Sequence, residues 1–265
     1  MGAPVYVYGV LAVHAAGAWA TAIGSGIGAQ SVYPLLAEDL AALVSVGSSS
    51  PIPRSRRNML DHTSVLERAL PHATILPLRF GTIAPDESAL RGCIVANRAA
   101  FREALRGIEG RVELGLKASW RKESIFSDIV ERDQALRAMR DRLQTRPAGE
   151  TYYERIELGR RVEAALAGRR DAEQSAILSE LAPLAERHES LRVHDEDMIL
   201  NHAFLVPRAA EASFDSAVAR LAERQGNRLD FSYVGPVPPF NFVTVHANWL
   251  TANAHSQPVQ RAGVA

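Results

Sequence analysis

The densest group of side chains able to bind a metal lies late in the chain. Its members are histidines and neighbouring carboxylates, namely His188, His194, Asp195, Glu196, Asp197 and His202. Imidazole and carboxylate are good zinc ligands, but this spacing follows no zinc pattern. His202 also falls in a predicted strand, where alternate side chains face opposite sides. The pattern therefore favours an acidic turn between a helix and a strand over a metal site.

A second candidate is a glycine-rich sequence near the N-terminus. Residues 24–29 read Gly-Ser-Gly-Ile-Gly-Ala and match the phosphate-binding fingerprint of dinucleotide-binding folds. That fingerprint needs a helix that starts at once and an acidic residue about twenty positions later. Pro34 interrupts the segment after the glycines, and no acidic residue ends a second strand there. The sequence therefore predicts a glycine-rich hairpin and no bound cofactor.

Four further polar positions have structural interpretations. Glu113 and Lys117 are four residues apart on a predicted strand, so they share a face and favour a surface ion pair. Arg79 could bind an anion or hold a backbone carbonyl, and its proline and glycine neighbours favour the structural role. Cys93 lies mid-helix with no evident basic partner and is expected in the core. No Gly-x-Ser-x-Gly, Walker or His-Glu-x-x-His sequence occurs, so no catalytic residue is predicted.

Composition limits the class of protein. The 265 residues include 30 basic and 30 acidic side chains, and this balance argues against a nucleic-acid partner. A single cysteine excludes an internal disulfide or a multi-thiolate zinc site. The first 37 residues carry no Lys, Arg, Asp or Glu, but they lack the basic start of a signal peptide and glycines interrupt them. Neither export nor membrane insertion is predicted, and the expected location is the reducing cytoplasm.

The elements that must position these residues fall into two sets. The first set is mixed α and β, and it is expected to form a domain of residues 1–109. Strands are predicted at residues 6–13, 31–35, 40–46 and 74–78, and helices at 58–70 and from 86 or 88 through 105. Glycines at 107 and 110 end the second helix.

From residue 111 the pattern begins again. It predicts a strand at 111–120, charged helices at 123–143 and 151–191, a strand at 198–206, a helix ending at Gly226, and strands at 229–234 and 242–246. This order suits a split βαβ, ferredoxin-like unit with an enlarged first crossover. The predicted fold class is α+β. The second domain is expected to span residues 110–249, and residues 250–265 are expected to form a flexible tail.

A proline-rich segment separates the last two predicted strands. Residues 235–243 read Gly-Pro-Val-Pro-Pro-Phe-Asn-Phe-Val. Its prolines remove backbone donors and fix φ, so the segment is neither a helix nor a central strand. A rigid connector is predicted, with a preformed apolar surface for a partner as the alternative. Phe240 and Phe242 are expected to face the core, against Phe231 or Tyr233.

A strand followed by Gly-Pro-x-Pro-Pro-aromatic-x-Phe-Val resembles the closing motif of the gas vesicle protein F/L family, which usually has Trp at position 237 and Tyr-Ser at 240 and 241. Other family motifs are matched in the same order. Residues 62–66 are similar to His-x-x-Val-Leu, 76–82 to Leu-Pro-x-Arg-Phe-Gly-Thr, 113–120 to Glu-x-x-x-Lys-x-x-Trp, and 203–206 to Ala-Phe/Tyr-Leu-Val. The positions carried over as family-motif or candidate partner-contact residues are Leu76, Pro77, Arg79, Phe80, Gly81, Glu113, Lys117, Trp120, Gly235, Pro236, Pro238, Pro239, Phe240 and Phe242.

The resemblance implies an α+β N-terminal domain and a modified ferredoxin-like C-terminal domain with a long helical insertion. It also implies a non-enzymatic accessory protein of the cytoplasm and the gas vesicle, which assists assembly of the vesicle shell. The expected partners are the small apolar wall protein and other accessory proteins, with no membrane, nucleic acid or cofactor.

Two alternatives belong to other classes of protein. One is an enzyme with a ferredoxin-like domain that acts on a small carbonyl or anionic substrate. It would need a pocket where a residue with a shifted pKa converges with Arg79 or His202. The other is a polyproline ligand for a signalling domain, which is disfavoured because no basic cluster flanks the prolines.

Overall fold

The computed structural model describes residues 2–121, 125–193 and 195–243. Proximity of Cα atoms groups them into two units: residues up to Glu113 together with those from Pro236 onward, and Leu114–Gly235. The sequence placed the boundary at residues 109 and 110 and gave 236–249 to the second domain. The structure instead groups 236–243 with the N-terminal unit, whereas the predicted tail lies outside the described residues.

The N-terminal unit is built on a five-stranded sheet. Its strands are β1 Val5–Ala12, β2 Tyr33–Ala37, β3 Leu40–Val46, β4 Leu76–Pro77 and β5 Ile83–Ala84. Its helices are α1 Ala18–Thr21, α2 Arg56–Ala69, α3 Glu87–Ala96 and α4 Arg98–Ile108. The strand order is β2-β3-β1-β4, with β5 also paired to β1, and these pairings are antiparallel.

Strand β1 is central and serves two cores. Val5, Val7 and Val10 join a cluster with residues of α3 and α4, which we call the first cluster. Tyr6, Tyr8 and Leu11 join a cluster with residues of α2, the second cluster. The change of parity along the strand coincides with a register shift between Val7 and Gly9, as a β-bulge produces. Both faces of β1 are thus buried, which explains why it reads as a continuous apolar run.

Two predicted N-terminal elements differ in the structure. The strand expected at 74–78 is only the two-residue β4. The helix expected from residue 86 through 105 is two helices, which meet at Asn97, where φ is −108° and ψ is 17°. Asp86 caps the first, because its carboxylate accepts from the Ala89 N–H at 2.8 Å. Cys93 is half-buried and packs against the first cluster.

The C-terminal unit is built on a four-stranded sheet in the order β7-β8-β6-β9. Its strands are β6 Arg111–Trp120, β7 Arg187–Ser190, β8 Met198–Pro207 and β9 Leu229–Val237. Its helices are α5 Ile125–Arg132, α6 Gln134–Gln144, α7 Tyr152–Leu181 and α8 Glu211–Gln225. Numbered within the unit, the spatial order 2-3-1-4 with a βαββαβ succession is ferredoxin-like. Helices α5 to α7 enlarge the first crossover, so the predicted α+β fold class is confirmed.

Strand assignments at the end of the chain need correction. The helix predicted through residue 191 ends at Leu181, and β7 follows, paired antiparallel with β8. Strand β9 extends through Gly235 and Pro236, both exposed, to Val237. A proline is tolerated there because β9 is an edge strand. Of the strand predicted at 242–246, the first two positions lie outside any strand and the others lie outside the described residues.

No helix in the described ranges is long and apolar enough to cross a membrane.

Candidate functional site

A buried group of aromatic and histidine side chains lies on one face of β1. The rings of Tyr6 and Tyr8 lie 4.8 Å apart. His62, on α2, stacks on Tyr8 at 5.5 Å, and Phe80 meets the His62 ring edge-on at 5.9 Å. The two tyrosines and His62 are at most 3% exposed, and Phe80 is half-buried. We call these four residues the aromatic network.

Hydrogen bonds fix the tautomer of His62. Its Nε2 lies 3.2 Å from the Leu78 carbonyl oxygen, and its Nδ1 lies 2.9 Å from the Tyr6 hydroxyl. Because a carbonyl only accepts, Nε2 carries the proton and Nδ1 accepts from Tyr6. The Tyr6 hydroxyl in turn accepts from the Gly81 N–H at 3.0 Å. This arrangement suits a neutral imidazole, and burial lowers the pKa of His62 to about 4.

Tyr8 connects the network to the glycine-rich sequence. Its hydroxyl accepts from the Ile27 N–H at 2.9 Å and lies 3.0 Å from Ser45 Oγ. Around Ile27 the backbone makes a three-residue 3₁₀ turn, and a bridge between Ser25 and Ser31 closes the loop. The next element is β2 and not the helix that a dinucleotide fingerprint requires. These residues form the tight hairpin that the sequence predicts.

The segment that resembles Leu-Pro-x-Arg-Phe-Gly-Thr runs through the core. Leu76 and Pro77 pair with β1 and are buried. Thr82 donates its N–H and hydroxyl to the Arg79 carbonyl at 3.2 and 2.7 Å, which closes a turn where Gly81 has a φ of 85°. That left-handed conformation favours glycine. The sequence predicted that the Arg79 guanidinium holds a backbone carbonyl. The Arg79 side chain is instead exposed, and the backbone carbonyl of Arg79 is the group that stabilises the turn.

A second buried contact joins two motifs far apart in the sequence. One Glu113 carboxylate oxygen accepts from the Asn241 N–H at 2.8 Å, and the other accepts from the Asn241 side-chain amide at 2.5 Å. Glu113 is 5% exposed whereas Lys117 is exposed, so the predicted surface ion pair between them is wrong. Burial raises the pKa of the Glu113 carboxyl, and the hydrogen bonds from Asn241 oppose that rise.

The proline segment belongs to the same core. Pro238 and Pro239 are buried, and Phe242 is 7% exposed. Phe240 is half-buried against the second cluster, which holds the tyrosines of the aromatic network. The side chains of this segment therefore complete the N-terminal unit, and the second of the two strands that it was predicted to connect does not begin within the described residues. Of the carried-over motif residues of this unit, Leu76, Pro77, Glu113, Pro238, Pro239 and Phe242 are buried, whereas Arg79, Gly81 and Pro236 are exposed.

The expected packing partners of Phe240 are corrected by this placement. The sequence predicted Phe231 or Tyr233, on the assumption that the chain returns as a strand beside β9. Tyr233 instead stacks on Phe214 at 6.2 Å and donates its hydroxyl to Asp215 at 2.5 Å. Tyr233 of β9 thus packs against helix α8.

In the C-terminal unit, the last motif residue holds a charged group. The Trp120 indole N–H donates to Glu173 at 2.6 Å, on α7. The same carboxylate accepts from Arg169 Nε at 2.6 Å and from the Arg228 guanidinium. A third guanidinium, of Arg170, lies over the Trp120 ring at 5.3 Å. We call the three arginines the arginine cluster. Among the described residues Glu173 is the carboxylate that pairs with them, and it contacts two of the three, so positive charge is in excess around it.

A cavity of about 430 Å³ opens beside the arginine cluster. Its lining comes from α5, α6, α7 and the turn before β9, namely Ile125, Ile129, Asp133, Gln134, Ala165, Arg169 and Arg228. The Asp133 carboxylate is already engaged, because it accepts from two backbone N–H groups that begin α6. This C-terminal cavity therefore combines apolar walls with two guanidinium groups, within the size range of ligand sites.

The predicted histidine and carboxylate group is only partly assembled. His188 and His202 come together with ring centres 5.7 Å apart, whereas His194 lies outside the described residues. Asp195 and Asp197 lie in the turn between β7 and β8, and not after a helix as predicted. In the described part of the chain, no three His, Cys, Asp or Glu side chains are grouped to hold a metal ion.

Three residues central to these sites, His62, Glu173 and Asn241, are not among the predicted site residues, although His62 begins the segment similar to His-x-x-Val-Leu. His62 lies with Val65, Leu66 and Ala69 on the buried face of α2, and a histidine in that apolar stripe was the available signal. Glu173 and Asn241 left no such signal, because their partners are 53 and 128 residues away.

Comparison with known proteins places the whole described chain beside one family. The family model described as "Gas vesicle synthesis protein GvpL/GvpF" matches residues 4–244. Gas vesicle protein F of Streptomyces sp. strain CB03234 is 31% identical over 222 residues, covering 83% of this chain and 91% of the relative. Gas vesicle protein L2 of Halobacterium salinarum is 26% identical over 257 residues, covering 89% and 90%.

A solved structure is similar over nearly the same length. The crystal structure of the gas vesicle protein GvpF from Anabaena sp. PCC7120 superimposes with a TM-score of 0.80 at 26% identity, covering 92% of this chain and 100% of that one.

Proposed function

Since this chain belongs to the GvpL/GvpF family of gas vesicle synthesis proteins, we propose that it is a non-enzymatic accessory protein that assists assembly of the vesicle shell. In this proposal it acts in the cytoplasm and at the vesicle, and it binds the small apolar wall protein before assembly. The observation that carries the proposal is the family match over residues 4–244.

The physical need for such a partner comes from the wall protein's apolar character. Exposed apolar patches and open strand edges self-associate in water. A second protein that covers them delays this association until the subunit reaches the growing shell. This chain offers an edge strand, β9, and an apolar cavity in its C-terminal unit, and both are recognised types of peptide-binding feature.

The enzyme alternative has less support. It requires Arg79 or His202 to line a pocket with a group of shifted pKa. Arg79 is exposed on its turn, and His202 is 3% exposed inside the C-terminal sheet. The C-terminal cavity is lined by neither residue.

The proposal is tested by co-expressing the wall protein with and without this chain and measuring the wall protein that stays in the supernatant after centrifugation. We expect a clear increase with the intact chain, and co-purification of the two. A matched control is an unrelated α+β protein expressed at the same level. Equal sedimentation of the wall protein with this chain and with the control would reject the chaperone role.

A further inference from the structure

We infer that the C-terminal cavity binds an apolar peptide segment that carries one carboxylate, and that the arginine cluster binds this carboxylate. The inference rests on the proposed function in one respect, because it takes the wall protein to be the source of that segment. The chemistry of the site itself depends only on the residues that line it.

The walls of the cavity suit aliphatic side chains. Ile125 and Ile129 project from consecutive turns of α5, and Ala165 faces them from α7. The volume of about 430 Å³ accommodates a few side chains, as in a groove that accepts one face of a helix. The small side chain of Ala165 keeps the space open.

The charge at one end of the cavity is unbalanced. Glu173 is 12% exposed and is shared by Arg169 and Arg228, whose side chains are 34% and 33% exposed. Arg169 uses Nε for this contact, and within the described ranges its two terminal nitrogens have no acceptor. Arg170 adds a third positive charge above Trp120. A carboxylate brought by a ligand would offset part of this excess in a partly desolvated setting.

The other charged group of the lining, Asp133, offsets only part of this excess, since two carboxylates then stand against three guanidinium groups. Asp133 is occupied at the N-terminus of α6, where its carboxylate accepts from Ala135 at 2.8 Å and Leu136 at 3.1 Å. The cavity therefore selects for an apolar ligand with an acidic group and against one with a basic group. A peptide segment is favoured over a free ion because Ile125, Ile129 and Ala165 form an apolar wall beside the charged end of the cavity.

The test uses the full chain and a fluorescein-labelled amphipathic helical peptide with a leucine and alanine face and one glutamate on that face. Polarisation should show saturable binding that weakens about tenfold or more when the peptide glutamate is replaced by glutamine. Binding should also weaken with added salt, because partly exposed charges are screened. Equal binding of both peptides would overturn the inference.

Two matched pairs of variants locate the site. Ala165→Phe fills the cavity and should weaken peptide binding about tenfold, whereas Ala164→Phe, exposed on the same helix, should leave it unchanged. Arg169→Gln should remove the preference for glutamate, whereas Arg161→Gln should not, since Arg161 pairs with Glu157 elsewhere on α7. Thermal melts of each variant identify any that fails to fold. Folded variants that bind like the unaltered chain would overturn the assignment.

The same variants separate this inference from the proposed function. If the unaltered chain and Ala165→Phe keep the wall protein equally in the supernatant, the cavity is not its seat although the accessory role stands. If the unaltered chain binds the glutamate peptide in the cavity but never retains the wall protein, the accessory role fails while the peptide site stands.

Decanoate, a free apolar chain with one carboxylate, serves as a competitor of the labelled peptide. Decanoate that displaces nothing supports a peptide seat. Decanoate that binds while the peptide does not would assign the cavity to small amphiphiles and overturn the inference.

Discussion

The aromatic network and the arginine cluster organise the two units in opposite ways. In the network, each polar atom of Tyr6 and His62 is matched by a partner within the fold, and the imidazole is neutral. In the cluster, charged groups surround a single carboxylate, Glu173, and positive charge remains in excess. A closed neutral network stabilises one conformation, whereas an open charged cluster retains capacity for another ligand. A family-motif residue, Phe80, belongs to the network and another, Trp120, contacts the cluster, so matching a motif does not by itself tell framework from contact surface.

The largest effect is expected when the aromatic network loses one of its hydrogen-bonding side chains. His62→Leu keeps a similar volume but leaves the Tyr6 hydroxyl and the Leu78 carbonyl without their partner. Because each unsatisfied buried group costs about 1–3 kcal/mol, we expect a loss of about 2–5 kcal/mol in the free energy of unfolding. Urea denaturation measures it. Tyr33→Phe, which removes one part-buried hydrogen bond to Glu87, is the control and should cost under about 1.5 kcal/mol. Equal losses in both variants would contradict a special role for the network.

The pH dependence of stability tests whether His62 is neutral. Its pKa falls from 6.5 to about 4 on folding, so the unfolded chain binds the proton more tightly. Stability from this group is complete above pH 6.5 and is lost as pH falls from 6.5 through about 4. The gap between the two pKa values corresponds to about 3 kcal/mol. Subtracting the His62→Leu curve from that of the unaltered chain isolates this contribution, and a flat difference across that window would refute the neutral network.

Loss of the Glu173 charge should lower the free energy of unfolding less than His62→Leu does, and the size of this loss should depend on the salt concentration. Glu173→Gln can keep the hydrogen bond from Trp120 but removes the charge that faces the arginines. We expect a loss of about 1–3 kcal/mol at low salt, since hydrogen bonds to charged groups contribute in that range. Added salt should reduce the loss by screening the arginines from one another. The His62→Leu loss should not change with salt, and a shared salt response would remove the distinction between the two regions.

The smallest expected effect concerns Glu113, whose pKa moves in the opposite direction from that of His62. Burial raises the pKa of the Glu113 carboxyl above 4.5, so its contribution is complete below that pH and is lost as pH rises through the folded-state pKa. The stability of the unaltered chain should therefore decline as pH rises above 4.5, and Glu113→Gln should make this decline smaller. Melts of the two proteins from pH 4 to 8 measure it; a steeper decline in the variant would show that the Asn241 bonds outweigh burial.

The order of strands and helices was predictable from the sequence because most elements carry an apolar pattern of their own. Strand β6 and helix α8 are examples, with alternating or striped burial along their length. Strand β7 was missed because all four residues are exposed and polar, so nothing distinguishes them from a continuing charged helix. It is a strand because β8 offers it a free edge, which is a tertiary cause.

The candidate site was predictable only in part, for a related reason. The burial of Phe242 was predicted from its alternation with Phe240, whereas the burial of Glu113 was not. The local sequence of Glu113 is typical of a surface strand. Its partner Asn241 is distant in the sequence, so local spacing could not predict their contact. The arginine cluster likewise depends on side chains from α7 and from the turn before β9, which only the folded crossover brings to Trp120.

The route of the chain between its two units sets an order of events during synthesis. The N-terminal unit is interrupted after Glu113 and is finished by residues that begin at Pro236. A ribosome therefore synthesises all of residues 114–235 before it adds Phe240 and Asn241. Once the middle unit has folded, Gly115 lies beside Val234, with the Val234 carbonyl 3.8 Å from where a Cβ on Gly115 would stand. Folding of the C-terminal unit thus closes a long loop between Glu113 and Pro236. The N-terminal unit is synthesised first, but its core is completed last.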